Sequence, residues 1–240
     1  MTIQYDGTNL HGWQVQKNGR TVQGEIQDAL QKIFKNQKIN LLGSGRTDSG
    51  VHGLAQIANI KLDTEMSIES LLNAINGNLK DNDISIKNIK EVSNNFHSRF
   101  SALKREYIYK ISTNYSPIDR NYYWHIKETI DIEKLHNSAK LILGEHDFTQ
   151  LSKKNDDIDN KNCNVYLSSW DIYEDKIYYN IIANRFLHHM VRYLVGIMIE
   201  ISKDNSFTID EFESMLQGKE SRRIYRAPSK GLYLKKIYYA

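Results

Sequence analysis

Residues 43–52 read GSGRTDSGVH, a polar loop with three glycines that lies between two apolar segments. The first of these segments ends near Leu42, and the second runs from Val51 to Leu62 with apolar residues such as Ile57 and Ile60. Short apolar runs bounded by glycine and serine are typical of β-strands. The loop is therefore predicted to connect two strands of a sheet.

Helices alternate with such strands along the chain. Apolar residues recur at helical spacing through 22–34, and the same pattern follows Ser67, a typical helix N-cap residue. The second half repeats the scheme, with helices after Asp131 and Thr208 and an apolar helix over about 187–201. We predict an α+β protein of two similar subdomains, each an antiparallel sheet with helices, with a central active-site cleft.

No long linker separates the two predicted subdomains, because the chain has only two prolines and no tract rich in glycine, serine or proline. The N-terminal subdomain is predicted to span residues 1–101 and to carry the loop with Asp48. The C-terminal subdomain is predicted to span residues 102–240 and to end in a strand over 231–239.

The composition is that of a folded protein. Hydrophobic residues make up 40% and charged residues 25%, which excludes the signature of a disordered chain. The net charge of +3 suits an RNA partner without requiring one. Cys163 is the only cysteine, which excludes an internal disulfide and multi-cysteine zinc sites. Since no export signal or membrane span is recognisable, we expect a cytoplasmic protein.

The glycine loop fails the tests for a nucleotide-binding loop. A Walker loop needs a second glycine followed by lysine and serine or threonine, and the dinucleotide motif needs a glycine where this chain has Asp48. A carboxylate at that place would repel a pyrophosphate. Asp48 is therefore either a turn residue, which is common for aspartate among glycines, or a catalytic carboxylate.

Five stretches together resemble the motifs of the TruA-type tRNA pseudouridine synthase family. They read YDGTNLHGWQVQ (5–16), GRTDSGVH (45–52), SRFSALKREY (98–107), FLHHMVRYLVG (186–196) and APSKGLYL (227–234). The five occur in the order of the family and extend over nearly the whole chain. The resemblance therefore concerns the whole pseudouridine synthase fold and not a single borrowed module.

The resemblance implies an isomerase that converts uridine to pseudouridine. The bond from C1′ to N1 breaks, the uracil turns, and C5 bonds to C1′, with no oxidation or hydrolysis. No cofactor and no metal are expected, in keeping with a sequence that has no nucleotide loop and no redox cysteine pair. The reaction needs one carboxylate, and by resemblance this is Asp48. It acts as a nucleophile on the ribose or the base, or it removes the C2′ proton.

The resemblance also assigns roles to two arginines. Arg192 would be the cation that keeps the carboxylate of Asp48 ionised, as an arginine within roughly 4 to 6 Å does. An arginine in the middle of an apolar helix must find an anion or extend to solvent, and the second course is the alternative for Arg192. Arg46 would occupy the place of the extruded uridine or hold the adjacent phosphate. Its alternative is an ordinary surface arginine.

Two further residues are implied at the substrate. Tyr107 resembles the active-site tyrosine of the family, whose ring packs on the uracil with its hydroxyl near the carboxylate. Leu232 is expected to form an apolar wall beside the base, and a plain core leucine is the alternative. With 15 tyrosines in the chain, most of them must be structural.

Histidines and a carboxylate pair offer no alternative metal or glycosidase site. His188 and His189 are adjacent and are expected to point in different directions on a helix. Glu145 and Asp147 follow Gly144 and are expected to cap or solvate a loop.

The leading hypothesis is thus a tRNA pseudouridine synthase that acts on the anticodon stem-loop, at tRNA positions 38 to 40, as a homodimer that holds one tRNA across both subunits. A non-catalytic RNA-binding protein on the same fold is the alternative, and a nucleoside hydrolase or glycosidase is a third class. Two departures from the family concern RNA contacts. Only four residues precede Tyr5, and the segment 153–164 is polar.

Overall fold

A computed structural model describes residues 1–154, 159–203, 207–219 and 223–240. The described residues contain ten strands, namely β1 (Thr2–Tyr5), β2 (Leu42–Gly43), β3 (His52–Asn59), β4 (Ile84–Asn88), β5 (Lys104–Ser112), β6 (Trp124–His125), β7 (Gly144–Asp147), β8 (Asn162–Tyr173), β9 (Lys176–Ala183) and β10 (Leu232–Tyr238). They also contain five α-helices, namely α1 (Val22–Ile33), α2 (Ile68–Asn78), α3 (Ile132–Leu141), α4 (Met190–Ser202) and α5 (Ile209–Leu216). The predicted α+β class is confirmed.

Two compact units divide the chain. The first unit consists of Met1–Leu103 with Tyr233–Ala240, and the second unit is Lys104–Leu232. The predicted subdomains, 1–101 and 102–240, stay a prediction about the chain's organisation. The units differ from them in that the C-terminal residues belong with the first unit, because β10 pairs with β3 there.

In the first unit the strands lie in the order β4, β1, β3, β10. β1 is antiparallel to both of its neighbours, and β10 joins β3 in parallel with Tyr233 opposite His52. The short β2 pairs with the far end of β3, with Leu42 opposite Asn59. The chain between β2 and β3 is therefore the loop that carries Asp48.

Helices α1 and α2 contribute to the core of the first unit together with its strands. Ile26 and Leu30 of α1 and Ile75 of α2 are fully buried in one cluster with Ile3 of β1 and Ile86 of β4. Burying an aliphatic side chain of this size stabilises the fold by roughly 1.5 to 3 kcal/mol. The apolar residues that recur at helical spacing in the sequence thus form the helix faces that are buried in this core.

In the second unit the strands lie in the order β5, β9, β8, β7, all antiparallel, and β6 runs parallel beside β5. Helix α3 contacts α4, α5 and β8. Eleven of the 13 residues of α4 are buried, so this helix is enclosed on nearly all sides and has no polar face. An arginine on α4, Arg192, is among the buried residues.

Three predicted helix starts are confirmed, whereas the helix expected from about residue 187 begins at Met190. The side chains of Ser67 and Asp131 accept hydrogen bonds from the backbone amides of Ser70 and Lys134. Thr208 forms a full capping box with Glu211 at the start of α5. These contacts satisfy amide groups that a helix leaves without partners in its first turn.

One expectation for the second half was wrong in part. Glu145 and Asp147 do not lie in a loop; they belong to β7, opposite Asn164 and Asn162 of β8. Asp147, at the end of β7, does cap the chain that follows, because its Oδ1 accepts a hydrogen bond from the amide of Thr149 at 2.7 Å. Four residues of mixed polarity carry little strand pattern, and β7 exists because β8 offers it a partner.

None of the helices that the structure describes has the length and apolar character of a membrane-spanning segment.

Candidate active site

Buried polar contacts fix the base of the Asp48 loop. The hydroxyl of Ser44 donates to Oε1 of Gln56 at 2.5 Å, and Nε2 of Gln56 donates to the carbonyl oxygen of Gly45 at 3.0 Å. Gln56 lies on β3 and is fully buried, so these bonds form away from water. The loop leaves the sheet in a defined direction.

Asp48 opens a tight turn. The amide of Val51 donates to the carbonyl oxygen of Asp48 at 3.2 Å, and Gly50, the third residue of the turn, has a φ of 77°. Glycine at that position is what a turn with a positive φ requires. Asp48 is thus a turn residue, as one interpretation of the sequence held, and its side chain is partly exposed. A turn position of this kind is compatible with a catalytic carboxylate.

The N-terminal motif holds both ends of this turn. The amide of Trp13 donates to the carbonyl oxygen of Thr47 at 3.1 Å, and the amide of Gly50 donates to that of Leu10 at 3.2 Å. A Cβ atom on Gly12, whose φ is 84°, would lie 2.4 Å from the carbonyl oxygen of Thr47. The two segments therefore touch at their backbones, and only glycine allows this approach.

Arg46 and Asp48 lie on the outer side of the loop. Arg46 is exposed and Asp48 is partly exposed, whereas Thr47 between them is buried. This alternation agrees with an extended backbone that sends both side chains the same way.

Tyr107, Arg192 and Leu232 belong to the second unit. Tyr107 lies on β5 opposite Ile181 of β9, and its buried ring meets the ring of Phe186 edge-on with centroids 5.1 Å apart. The ring position is therefore defined by packing within this unit.

Arg192 does not extend to solvent. It is only 8% exposed, and its Nε donates to the carbonyl oxygen of Ala227 at 2.7 Å. The amide of Ala227 in turn donates to the carbonyl oxygen of Arg192 at 3.1 Å. This excludes the snorkelling alternative for Arg192; the pairing with a carboxylate stays a prediction.

The segment that holds Arg192 also packs on Tyr109 and leads to Leu232. The hydroxyl of Tyr109 donates to the carbonyl oxygen of Pro228 at 2.7 Å, and a Cβ atom on Gly231 would lie 2.7 Å from its ring. Burial raises the pKa of Tyr109 well above its ordinary value, opposed by the charge of Arg192. Tyr109 is therefore a neutral structural tyrosine. Leu232 begins β10 and is buried. Burial is expected of an apolar wall beside the base and equally of a plain core leucine.

The expectation for the two adjacent histidines was wrong. His188 and His189 precede α4, and their rings lie with centroids 3.9 Å apart instead of diverging. The reason is the backbone of His189, which takes the left-handed conformation with a φ of 66°. Nη1 of Arg226 lies 2.8 Å from Nδ1 of His189. Left-handed backbone is uncommon outside glycine and is not readable from a helical pattern.

Sequence reasoning missed the polar residues behind the loop. Gln56 and the pair formed by Tyr5 and Thr47 are buried and bonded close to Asp48. For Gln56 a signal existed, since a glutamine among the apolar residues of a strand predicts a buried hydrogen bond. For Tyr5 and Thr47 none existed, because their hydroxyl groups meet across 42 positions of sequence.

The model of the tRNA pseudouridine synthase family matches residues 1–101 and 138–240 of this chain. The chain belongs to the tRNA pseudouridine synthase family. It is 36% identical over 241 residues to the tRNA pseudouridine synthase A of Geobacillus sp. (strain WCH70), covering 99% of this chain and 96% of that protein.

Two further relatives extend over the same length. The tRNA pseudouridine synthase A of Thermoanaerobacter sp. (strain X514) is 38% identical, with 100% of this chain and 98% of that protein covered. The corresponding protein of Borrelia garinii subsp. bavariensis is 38% identical, with 99% and 97% covered. Pseudouridine synthases are isomerases, so the predicted family and enzyme class are confirmed. Family membership also favours the enzyme over the non-catalytic alternative.

Proposed function

We propose that this protein isomerises uridine to pseudouridine in the anticodon stem-loop of tRNAs, at tRNA positions 38 to 40, with Asp48 as the catalytic carboxylate. The family match over both parts of the chain is the observation that carries the proposal. The geometry of the loop supports it, because Asp48 projects from a turn that buried contacts fix on both sides.

The chemistry asks for a carboxylate that is fixed in place and still within reach of the substrate. A rigid backbone with a partly exposed side chain meets both needs. When the glycosidic bond breaks, the detached uracil must be kept from water until C5 bonds to C1′; N1 then gains a proton and C5 loses one. Asp48 acts on the ribose or the base as a nucleophile, or as the base at C2′.

The other residues have supporting roles in this proposal. Arg192 keeps the carboxylate of Asp48 ionised, and the ring of Tyr107 packs on the uracil. Leu232 is the apolar wall beside the base. The buried positions of Arg192 and Tyr107 support roles that need a fixed orientation.

Cationic and aromatic side chains on the surface support an RNA partner. The Nζ atom of Lys104 lies 4.3 Å from the ring centroid of Tyr166, which is 46% exposed. The guanidinium of Arg99 lies 5.6 Å from the ring centroid of Phe100, the more exposed of the two aromatic residues. Exposed rings beside cations suit both the bases and the phosphates of RNA.

The proposal also includes a homodimer in the cytoplasm, in which one tRNA is held across both subunits. Sedimentation velocity with and without tRNA tests the assembly. At least two protein chains in every tRNA-bound species are expected, and a complex of one chain with one tRNA contradicts the proposal.

One assay tests the proposed reaction. The protein is incubated with unmodified tRNA, the tRNA is digested to nucleosides, and pseudouridine and uracil are quantified by mass spectrometry. Pseudouridine confined to the anticodon stem-loop is the expected product. Unchanged uridine, under conditions where the protein binds tRNA, overturns the proposal in favour of an RNA-binding protein. Free uracil indicates a hydrolase.

Arg46→Ala is expected to lower the rate of pseudouridine formation about 10-fold or more while weakening tRNA binding by less than about 3-fold. The reason is that Arg46 acts when the base leaves its stack, a step that costs a few kcal/mol. Single-turnover rates and binding constants at one salt concentration make the comparison. Lys35→Ala, which removes another exposed positive charge, is the control. Equal losses of rate and affinity with Arg46→Ala would reduce Arg46 to a phosphate contact.

A further inference from the structure

We propose that Tyr5 is a positioning residue for Asp48, acting through its hydroxyl group on Thr47. This inference rests on the proposed function of Asp48. The oxygen atoms of the Tyr5 and Thr47 hydroxyl groups lie 2.9 Å apart and form a buried hydrogen bond. Thr47 is the residue directly before Asp48, so whatever fixes Thr47 also fixes the backbone from which the carboxylate projects.

The hydroxyl of Tyr5 has a fixed position because the sheet holds its ring. Tyr5 ends β1 and is paired with Gly53 of β3. A Cβ atom on Gly53 would lie 2.3 Å from Cε1 of Tyr5, so the ring rests directly on the backbone of β3. Tyr5 is 3% exposed. The sheet thus holds the phenol ring of Tyr5 in place, and the hydroxyl of Tyr5 connects the sheet to the loop.

Thr47 is held by both its backbone and its side chain. Its carbonyl oxygen accepts from the amide of Trp13 at 3.1 Å, and its hydroxyl meets that of Tyr5. Two bonds on one residue restrict both the translation and the rotation of its peptide unit. The hydrogen bond of its hydroxyl fixes the orientation of the Thr47 side chain. It thereby also restricts the direction of the backbone that leads to Asp48.

The far end of the turn rests on the same N-terminal segment. A Cβ atom on Gly7 would lie 2.1 Å from the carbonyl oxygen of Val51, so the backbones of these residues are in close contact. Tyr5 contacts Thr47, which directly precedes the turn that Asp48 begins, and Gly7 contacts Val51, the last residue of that turn. The segment 5–7 therefore supports the turn at both of its ends.

A carboxylate that attacks carbon or removes a proton depends on small distances. A displacement of 1 Å by a change away from the chemistry can cost about 100-fold in rate. Loss of one hydrogen bond behind the loop releases a smaller movement, and the expected loss is about 5- to 30-fold in the chemical step. Affinity for tRNA, which is spread over many phosphate contacts, should change less than about 2-fold.

The experiment compares Tyr5→Phe, Thr47→Val and the double variant with the wild type. Tyr5→Phe keeps the ring and removes only the hydroxyl, and Thr47→Val keeps the branched shape. Single-turnover rates at saturating tRNA, tRNA binding and thermal unfolding are measured for each. Because both changes break the same bond, the double variant should be no slower than the slower single variant.

Two matched variants separate positioning from general stability. Tyr179→Phe removes the hydroxyl of another buried tyrosine, whose oxygen lies 2.8 Å from that of Ser168 in the second unit. It should lower the melting temperature about as much as Tyr5→Phe and leave the rate unchanged. Thr47→Ser restores a hydroxyl and should recover a rate within about 3-fold of the wild type.

The outcomes distinguish this inference from the proposed function. If the wild type forms no pseudouridine, the proposed function fails. If the wild type is active and Tyr5→Phe has the same single-turnover rate, the positioning role is overturned, whatever happens to the melting temperature. A Thr47→Ser variant as slow as Thr47→Val also overturns it, because the hydroxyl would then not matter. A slow Tyr5→Phe variant with normal tRNA affinity supports it.

Discussion

Asp48→Asn is expected to lower pseudouridine formation by at least about 10³-fold and to leave tRNA binding within a few-fold of the wild type. Asparagine has nearly the shape of aspartate, so the turn from Asp48 to Val51 can persist, but its amide neither attacks carbon nor accepts a proton at neutral pH. Quantification of pseudouridine in digested tRNA gives the rate, and filter binding gives the affinity.

Two further variants make this result specific. Asp28→Asn removes an exposed carboxylate on α1 and should be fully active. Asp48→Ala excludes recovery of aspartate by deamidation and should be as inactive as Asp48→Asn. An Asp48→Ala enzyme that retains a tenth or more of the wild-type rate would remove Asp48 from the chemistry and leave it as a turn residue.

Gly196→Ala is expected to destabilise the protein by about 3 kcal/mol, which lowers the melting temperature by roughly 6 to 12 °C. A Cβ atom on Gly196 would lie 1.9 Å from the carbonyl oxygen of Tyr225, and backbone cannot swing aside as a side chain can. Either α4 or the segment 225–227 must move. Movement of that segment also disturbs the bond from Arg192 to Ala227.

Gly77→Ala is the matched control for this prediction. Gly77 also lies within a helix, α2, but apart from its chain neighbours and the adjacent backbone of α2 no described atom lies within 4 Å of the place of its Cβ. Alanine there should be neutral or stabilising by up to about 1 kcal/mol, because it reduces the freedom of the unfolded chain. Thermal unfolding followed by circular dichroism measures both variants. Equal melting temperatures would show that the contact between α4 and Tyr225 is loose.

Local signals in the sequence predicted the helices well. Ser67, Asp131 and Thr208 each begin a helix at the expected position, because an N-cap bond joins residues three apart and needs no tertiary partner. The five motifs that carry the family resemblance are also short continuous stretches, so they too can be recognised without a tertiary structure.

Other features depend on contacts that no local pattern encodes. The strand β7 needs β8 beside it, and the close approach of the His188 and His189 rings follows from a left-handed backbone at one residue. The snorkelling alternative for Arg192 was open on the sequence alone. The structure excludes that alternative, because the side chain of Arg192 is buried and its guanidinium donates to the carbonyl oxygen of Ala227.

The family, the α+β class and the place of Asp48 in a polar loop between two strands were all predictable from the sequence, because short ordered motifs and local periodicity encode them. How the carboxylate is held became visible only in the folded chain. Tyr5, Trp13 and Gly12 reach Thr47 across more than 30 positions of chain, and their meeting depends on how β1 and β3 pair. Long-range backbone contacts of this kind arise from the register of a sheet, which the packing of the whole core selects.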